Sequence, residues 1–185
     1  MTLKSVLSEK KSAVLGKWLD LIADTHPAGA SFFKDKDRFT NPVGYTFSSE
    51  TSVLYDELLQ GFINPDKVSQ SLDNIIKMRA VQDFSPGEAV KFIFLLKEAI
   101  RYELGKHIRE KQTLEELHSF DSMIDELALR AFDVYVGCRE KIYEIRVNEM
   151  RSAKEDAFRL LERITLKQEQ LEDGVAGGYN GSEVT

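Results

Sequence analysis

The chain has 185 residues, a formal net charge of -6 at pH 7 and 42% hydrophobic residues, a composition typical of a globular protein with its own core. An acidic surface repels phosphate backbones, so we do not expect nucleic acid among its partners. The single cysteine excludes an internal disulfide, and no stretch is apolar enough for a signal peptide or a membrane helix. We therefore expect a cytoplasmic protein without membrane insertion.

Helical periodicity runs through most of the sequence, and no segment alternates polar and apolar residues over the length of a strand. This pattern predicts an all-α fold. We expect a globin-like or irregular bundle of about five to six helices with a long C-terminal helix.

The first predicted helix covers residues 3–24, with Val14, Trp18 and Ile22 on one face. Residues 25–49 follow and mix turn formers with aromatic residues, among them Phe39, Tyr45 and Phe47. A solvated loop would not carry so many aromatic side chains. We therefore predict a loop that packs against the body of the protein.

Three helices are predicted between residues 48 and 105. The first begins at Ser48 or Ser49 and ends at Gly61, and the next covers residues 65–81. The third starts at the sequence Ser-Pro-Gly-Glu of residues 85–88, which combines a serine N-cap, a proline at the first helical position and a glutamate at the third. Its segment is apolar on more than one face, so we expect it to be central.

The last helix is predicted to be unusually long. A second capping box lies at residues 113–116, and from there to residue 173 the sequence has no proline and only Gly137 as a glycine. About sixty residues of helix would measure about 90 Å, so we expect this helix to bend near Gly137 or to extend beyond the body. We divide the chain into a helical domain (1–138), an extended helix (139–173) and a disordered tail (174–185).

The extended helix has the spacing of a coiled coil. Its apolar residues step by three and four, and the seam consists of Met150, Ala153, Ala157, Leu160 and Ile164. The same steps continue to Lys167, which breaks the apolar pattern, and to Leu171. Charges of both signs flank the seam, so one partner helix suffices and a second copy of the chain is its simplest source. We predict a homodimer, and the alternative is a solvated single helix.

The sequence contains none of the common catalytic or nucleotide-binding motifs. His26, His107 and His118 lie near predicted helix ends, and no cysteine or second histidine supports a haem or metal role for them. Glu115 and His118 supply one Glu-x-x-His spacing, whereas a di-metal site in a helical bundle requires two. Cys138 is interpreted as a small packed residue rather than a redox-sensitive thiol. We therefore predict no catalytic residue, no metal and no cofactor.

Two segments resemble a known family. They are RFTNPVGY, which begins at Arg38, and RAVQDFSP, which begins at Arg79 and continues into AVKFIFLLK. In this order and spacing they resemble the RsbRD N-terminal domain family over most of residues 5–150. The resemblance implies a helical input module of the kind that usually precedes a STAS domain in stressosome-type proteins, which restrain a kinase and so control a stress response. Related input domains are globin-like dimers without haem.

No STAS domain follows the long helix in this sequence, so we expect a stand-alone sensor or adaptor. Within the matching segments, Asn41 and Pro42 predict a turn. We expect Arg79, Gln82 and Asp83 to hydrogen-bond the 38–45 segment, so that Asn41, Tyr45, Arg79, Gln82 and Asp83 form one network. The network either anchors the loop or binds a small anion or metabolite.

The first functional hypothesis is a non-catalytic sensor or regulatory module that signals through a dimeric helix to an unidentified protein partner. One alternative is a small-molecule or gas sensor, with haem among the candidates, that holds its ligand between the aromatic loop and the predicted helix after Ser85. Another is an enzyme of unfamiliar type that uses the carboxylates near Glu115.

Overall fold

The computed structural model describes residues 2–25, 39–62, 64–82, 84–105 and 111–176. Six helices occur in these ranges: α1 (Leu3–Glu9), α2 (Lys11–Thr25), α3 (Pro42–Gln60), α4 (Pro65–Val81), α5 (Pro86–Leu104) and α6 (Lys111–Ala176). No strand occurs in the same ranges, so the all-α prediction with a long C-terminal helix is confirmed. The chain divides into two compact units, Met1–Arg139 and Glu140–Thr185.

Three helices begin with the same N-capping arrangement. Asn41, Asn64 and Ser85 each accept a hydrogen bond from the backbone N–H three residues further on, at 2.9, 3.1 and 3.4 Å. A proline follows each cap, where its fixed φ suits a helix and its missing N–H costs nothing. At α5 the capping box is complete, because the Glu88 carboxylate accepts a hydrogen bond from the Ser85 N–H at 2.9 Å.

The predicted start of the second helix at Ser48 or Ser49 is wrong, because α3 begins at Pro42. Aromatic residues and a glycine led us to predict a loop as far as residue 49. In the structure Phe47 lies on the buried face of α3, while Tyr45 is exposed. The rest of the predicted loop, residues 26–38, lies outside the described residues.

The predicted first helix is divided at Lys10 into α1 and α2. Backbone hydrogen bonds still cross the division, from the Lys10 N–H to the Val6 carbonyl and from the Val14 N–H to the Lys10 carbonyl, both at 3.0 Å. The Lys10 ammonium also donates to the carbonyl of Glu103 at 2.7 Å, near the end of α5. The division is therefore a local change in backbone angle with an anchor to a neighbouring helix.

The long helix begins and ends slightly outside the predicted range. α6 starts at Lys111 and continues without interruption past Gly137 to Ala176, so residues 174–176, predicted as disordered tail, are helical. Near its start, the Glu116 carboxylate accepts a hydrogen bond from the Leu3 N–H at 2.5 Å. This contact ties the beginning of α6 to the beginning of α1.

The core of the first unit is formed by α2 packed on α5 and α3 packed on α4. α5 buries residues along most of its length, and α6 adds a buried stripe at helical spacing. The stripe consists of Leu117, Phe120, Ile124, Leu127, Ala131 and Tyr135.

In the second unit, every described side chain from residue 143 to residue 170 is exposed. The exposed side chains include large apolar ones, such as Tyr143, Met150, Leu160 and Ile164. Across both units, no helix within the described ranges combines the length and the apolar character needed to cross a membrane.

Candidate functional site

The most unusual group in the first unit is the guanidinium of Arg79, in the last turn of α4. Its central carbon lies 5.2 Å from the ring centroid of Phe47, 5.1 Å from that of Phe84 and 5.2 Å from that of Phe92. Only 3% of the residue is exposed to solvent. The faces of aromatic rings attract a cation, so the three rings replace part of the lost hydration.

The hydrogen bonds of Arg79 do not fully replace the water that burial removes. One terminal nitrogen donates to the Glu88 carbonyl at 2.9 Å, in the first turn of α5. The Nε–H finds no partner among the residues that the structure describes. Burial disfavours the charged form and lowers the pKa of Arg79 to about 10, which still leaves the group cationic at neutral pH.

The rings around Arg79 belong to a larger cluster. Phe92 stacks against Trp18 with centroids 6.4 Å apart and meets Phe47 edge-on at 6.0 Å. The Trp18 indole N–H donates to the Phe92 carbonyl at 2.6 Å. We call Trp18, Phe47, Arg79, Phe84 and Phe92 the Arg79 cluster. It joins α2, α3, α4 and α5, so a change at Arg79 acts on four helices.

The structure places the five residues of the predicted network as follows. Asn41 caps α3, Tyr45 is exposed on the same helix, and Gln82 is the exposed C-cap residue of α4. Asp83 lies outside the described residues. Arg79 reaches α3 through the Phe47 ring, and its hydrogen bond goes to α5. Whether all five residues act as one network stays a prediction.

Sequence reasoning missed the aromatic members of the cluster. Phe84 lies within the RAVQDFSP segment and directly precedes the Ser85 cap, yet nothing in the spacing shows that its ring faces Arg79. Trp18 and Phe92 are 74 residues apart, and their contact depends on how α2 and α5 pack. The only local signal was the presence of a cation in register with the apolar face of α4.

A groove between α3 and α4 lies beside the exposed Tyr45. It has a volume of about 520 Å³ and is lined by Tyr45, Thr46, Ser49, Glu50, Asn74 and Met78, among others. The Asn74 side-chain amide donates to the Glu50 carboxylate at 2.9 Å across the two helices. The groove therefore presents polar groups to solvent between α3 and α4, whereas the ligand that we predicted as an alternative would lie against the helix after Ser85.

The other candidates from the sequence are dispersed. Glu115 and His118 are exposed on α6, and Cys138 is half-buried. His26 and His107 lie outside the described residues. Among the residues that are described, no three histidine, cysteine or carboxylate side chains gather as they would around a metal ion.

The predicted seam lies entirely in the second unit. Met150, Ala153, Ala157, Leu160 and Ile164 are all exposed. Each of these side chains is therefore accessible to a partner helix.

Comparison with known proteins identifies a family. The model of the RsbT co-antagonist protein rsbRD N-terminal domain matches residues 12–150, which include the whole Arg79 cluster. A protein from Archaeoglobus fulgidus, recorded as uncharacterized, is 29% identical over 83 residues. That match covers 44% of this chain and 51% of the relative, so it spans about half of the relative's length. No solved structure matches the chain.

Proposed function

Because the chain belongs to the RsbT co-antagonist protein rsbRD N-terminal domain family, we propose that it is a non-catalytic sensor or regulatory module that acts through protein contacts. The observation that carries this proposal is the family match over residues 12–150, which covers most of the first unit, and a co-antagonist domain has a regulatory role.

The contacts within the Arg79 cluster support a structural role for the Arg79 guanidinium. Its guanidinium faces three rings and one backbone carbonyl, which are groups that hold a cation in place. No nucleophile or general base is part of the cluster. We interpret Arg79 as the residue that fixes the angle between α3, α4 and α5.

We further propose that the long helix pairs with a second copy of the chain through the predicted seam. Five apolar side chains are exposed there at steps of three and four residues, three of them large (Met150, Leu160 and Ile164), with charges of both signs on either side. Burial of apolar surface is worth roughly 25 cal/mol per Å², so pairing along several turns would stabilise both copies. A structural change in one copy of the chain would then reach the other copy through the paired helices.

The proposal is tested by light scattering coupled to size exclusion, with the absorbance spectrum recorded on the same peak. The wild-type chain should elute as a colourless dimer, and Met150→Asp combined with Ile164→Asp should yield the monomer, because two charges would be buried without partners. Arg159→Glu is the matched control, since Arg159 is exposed on the same helix outside the seam. A wild-type monomer, or a double variant that remains dimeric, would contradict the seam.

The groove beside Tyr45 favours one second candidate, a sensor for a small molecule. Its polar lining and its position next to α4 would couple a bound ligand to the Arg79 cluster. Native mass spectrometry of the purified chain tests for a retained ligand, and a coloured peak in the experiment above would identify haem or another chromophore. A retained mass that Asn74→Ala abolishes would place the ligand in this groove.

A further inference from the structure

The helix α1 lies outside the family match, which begins at residue 12. It has only 7 residues and two buried side chains, Leu3 and Leu7, which are one turn apart on the same face. A helix this short is unstable in water by itself, because nucleation costs more than its few hydrogen bonds return. The rest of the first unit therefore holds α1 in its helical form.

The first unit supplies a hydrogen bond at each end of α1. At the beginning of α1, the Leu3 N–H donates to the Glu116 carboxylate of α6 at 2.5 Å. In its last turn, the Leu7 carbonyl accepts a hydrogen bond from the Tyr55 hydroxyl of α3 at 3.0 Å. The first N–H groups and the last carbonyl groups of a helix lack partners within the helix. Glu116 and Tyr55 thus provide what a short helix needs at its two ends.

The hydroxyl of Tyr55 depends on this arrangement. The Tyr55 side chain is fully buried, and a buried hydroxyl needs a hydrogen-bond partner. Burial raises the pKa of Tyr55 above its ordinary value of 10.0, and the neighbouring Asp56 raises it further. The hydroxyl therefore stays protonated near neutral pH and donates to a carbonyl. If α1 left its place, the hydroxyl would lose its acceptor.

A groove of about 520 Å³ continues beyond the beginning of α1, where Thr2 and Leu3 line it. α1 and α3 run in opposite directions here, because Tyr55 meets Leu7, whereas residues 58–61 line the groove beside the beginning of α1. The groove therefore continues along the line of α1, before its first residue. Its apolar wall comes from α3 and α6 and consists of Leu58, Leu59, Phe120 and Met123. We call Tyr55, Leu58, Glu116 and Phe120 the α1 site.

We propose that the α1 site is a docking site for a short helix of a partner protein, and that α1 occupies it until the partner displaces α1. The site offers a carboxylate to the beginning of a helix, a hydroxyl to its end and apolar side chains to two leucines four residues apart. An amphipathic helix with this spacing of leucines fits all three, and such helices commonly bind in apolar grooves. The proposal rests on protein contacts as the function of the chain, but it requires neither the seam nor a dimer.

A partner helix displaces α1 when it buries more apolar surface. α1 has the advantage of being linked to its site, which acts as a high local concentration. A partner helix that is one turn longer also covers the groove beyond α1. Leu59 and Met123 in its wall are only half-buried, so this longer helix removes more apolar surface from water.

Fluorescence anisotropy with a labelled peptide tests the α1 site in the full chain. The probe has the sequence of residues 2–11. Leu3→Asp combined with Leu7→Asp should displace α1 and raise the affinity for the probe at least about ten-fold over wild type, because more chains then have an open site. The control is the same peptide carrying both substitutions, which should bind neither protein.

The hydrogen bond from Tyr55 is tested in the same displaced variant. Tyr55→Phe keeps the ring and removes the hydroxyl, so the affinity for the probe should fall about ten-fold. Tyr102→Phe is the matched control, since Tyr102 is exposed on α5, and it should leave the affinity unchanged. Equal affinities in the Tyr55→Phe variant and its parent would overturn the role of this hydroxyl in the site.

A longer peptide tests displacement in the wild-type chain. It carries one more helical turn before residue 2, with a leucine four residues before the position of Leu3. This peptide should bind wild type at least about ten-fold more tightly than the shorter probe, and Met123→Asp should remove the gain. If both peptides bound wild type equally weakly, a partner helix would not displace α1.

Hydrogen exchange in wild type gives a measurement that needs no disruptive substitution. The amides of residues 6–9 should exchange faster than those within α3 and α5, because α1 opens locally. Exchange of α1 only together with the core would overturn the proposal, as would a displaced variant that remains helical and does not bind the probe. Light scattering on the same samples reports the dimer, so the α1 site and the seam can fail separately.

Discussion

Among the charged residues that the structure describes, Arg79 is the most deeply buried. Its guanidinium lies among Phe47, Phe84 and Phe92, with one hydrogen bond to the Glu88 carbonyl. A buried cation is costly unless its neighbours compensate for the lost water. The faces of these three rings compensate for the lost water, and the Arg79 side chain also fills the space between α3, α4 and α5.

We expect Arg79→Ala to lower the free energy of unfolding by about 2–4 kcal/mol, because it removes the ring contacts and leaves a cavity. Arg79→Met keeps most of the volume without the charge and should cost less than about 1.5 kcal/mol. Urea denaturation followed by fluorescence of Trp18, the only tryptophan, measures both values. Equal losses in the two variants would show that charge matters more than volume.

The same substitution tests the predicted link to the beginning of α3. Phe47 connects Arg79 to that helix, so Arg79→Ala should make residues 38–45 more accessible to a protease. Limited proteolysis with mass spectrometry identifies the cleavage sites and their rates. An unaltered rate of cleavage in this segment would count against the anchoring role.

At the level of whole elements, the helix starts are set by a cap followed by a proline. Pro42, Pro65 and Pro86 each open a helix after an asparagine or a serine. The signal was recognised at residue 86, where a capping glutamate accompanied it. It was overlooked at residue 42, where glycine and aromatic residues suggested a loop. The same cap chemistry operates at both positions.

The capping box of α5 predicts a dependence on pH. Hydrogen bonds from the Ser85 hydroxyl and the Ser85 backbone N–H lower the pKa of Glu88 from its ordinary value of 4.5. The carboxylate therefore contributes stability above that value, and this contribution is lost as the pH falls through the lowered pKa. Glu88→Gln should be less stable than wild type at pH 7, and the difference should shrink towards pH 3.

Urea denaturation at the two pH values measures this difference. Glu98→Gln, exposed on the same helix away from its N-terminus, is the control and should leave the pH dependence unchanged. If the Glu88→Gln variant and the wild type differed equally at both pH values, the ionised capping box would not be the cause.

For the whole molecule, the proposed dimer makes the stability of the chain depend on a second copy. The first unit has its own core, whereas the described side chains of residues 143–170 are all exposed. A helix of this kind gains most of its stability from packing rather than from propensity. If the chain pairs through the seam only in its folded state, association should stabilise that state.

We therefore expect the thermal midpoint of the Trp18 fluorescence transition to rise with protein concentration. Trp18 lies in the core of the first unit, so its signal does not report on the second unit directly. A partner that binds only the folded state stabilises it by mass action. In the Met150→Asp, Ile164→Asp double variant the midpoint should not depend on concentration. If the wild-type midpoint were also independent of protein concentration, association would not stabilise the fold.

The sequence alone determined the features that depend on neighbouring residues. Helical periodicity and the absence of strand patterns predicted the all-α fold with its long last helix. The capping box placed the start of α5 correctly, because a cap acts on the residues that directly follow it. Family membership also came from two local segments, RFTNPVGY and RAVQDFSP.

Only the tertiary structure decided which distant side chains meet. The Arg79 cluster depends on how the helices pack, since Phe47, Phe84 and Phe92 lie on different segments. Sequence spacing places a residue on the face of its own helix, but it carries no information about what the facing helix presents. Burial of a cation among three rings follows from the angle and distance between helices.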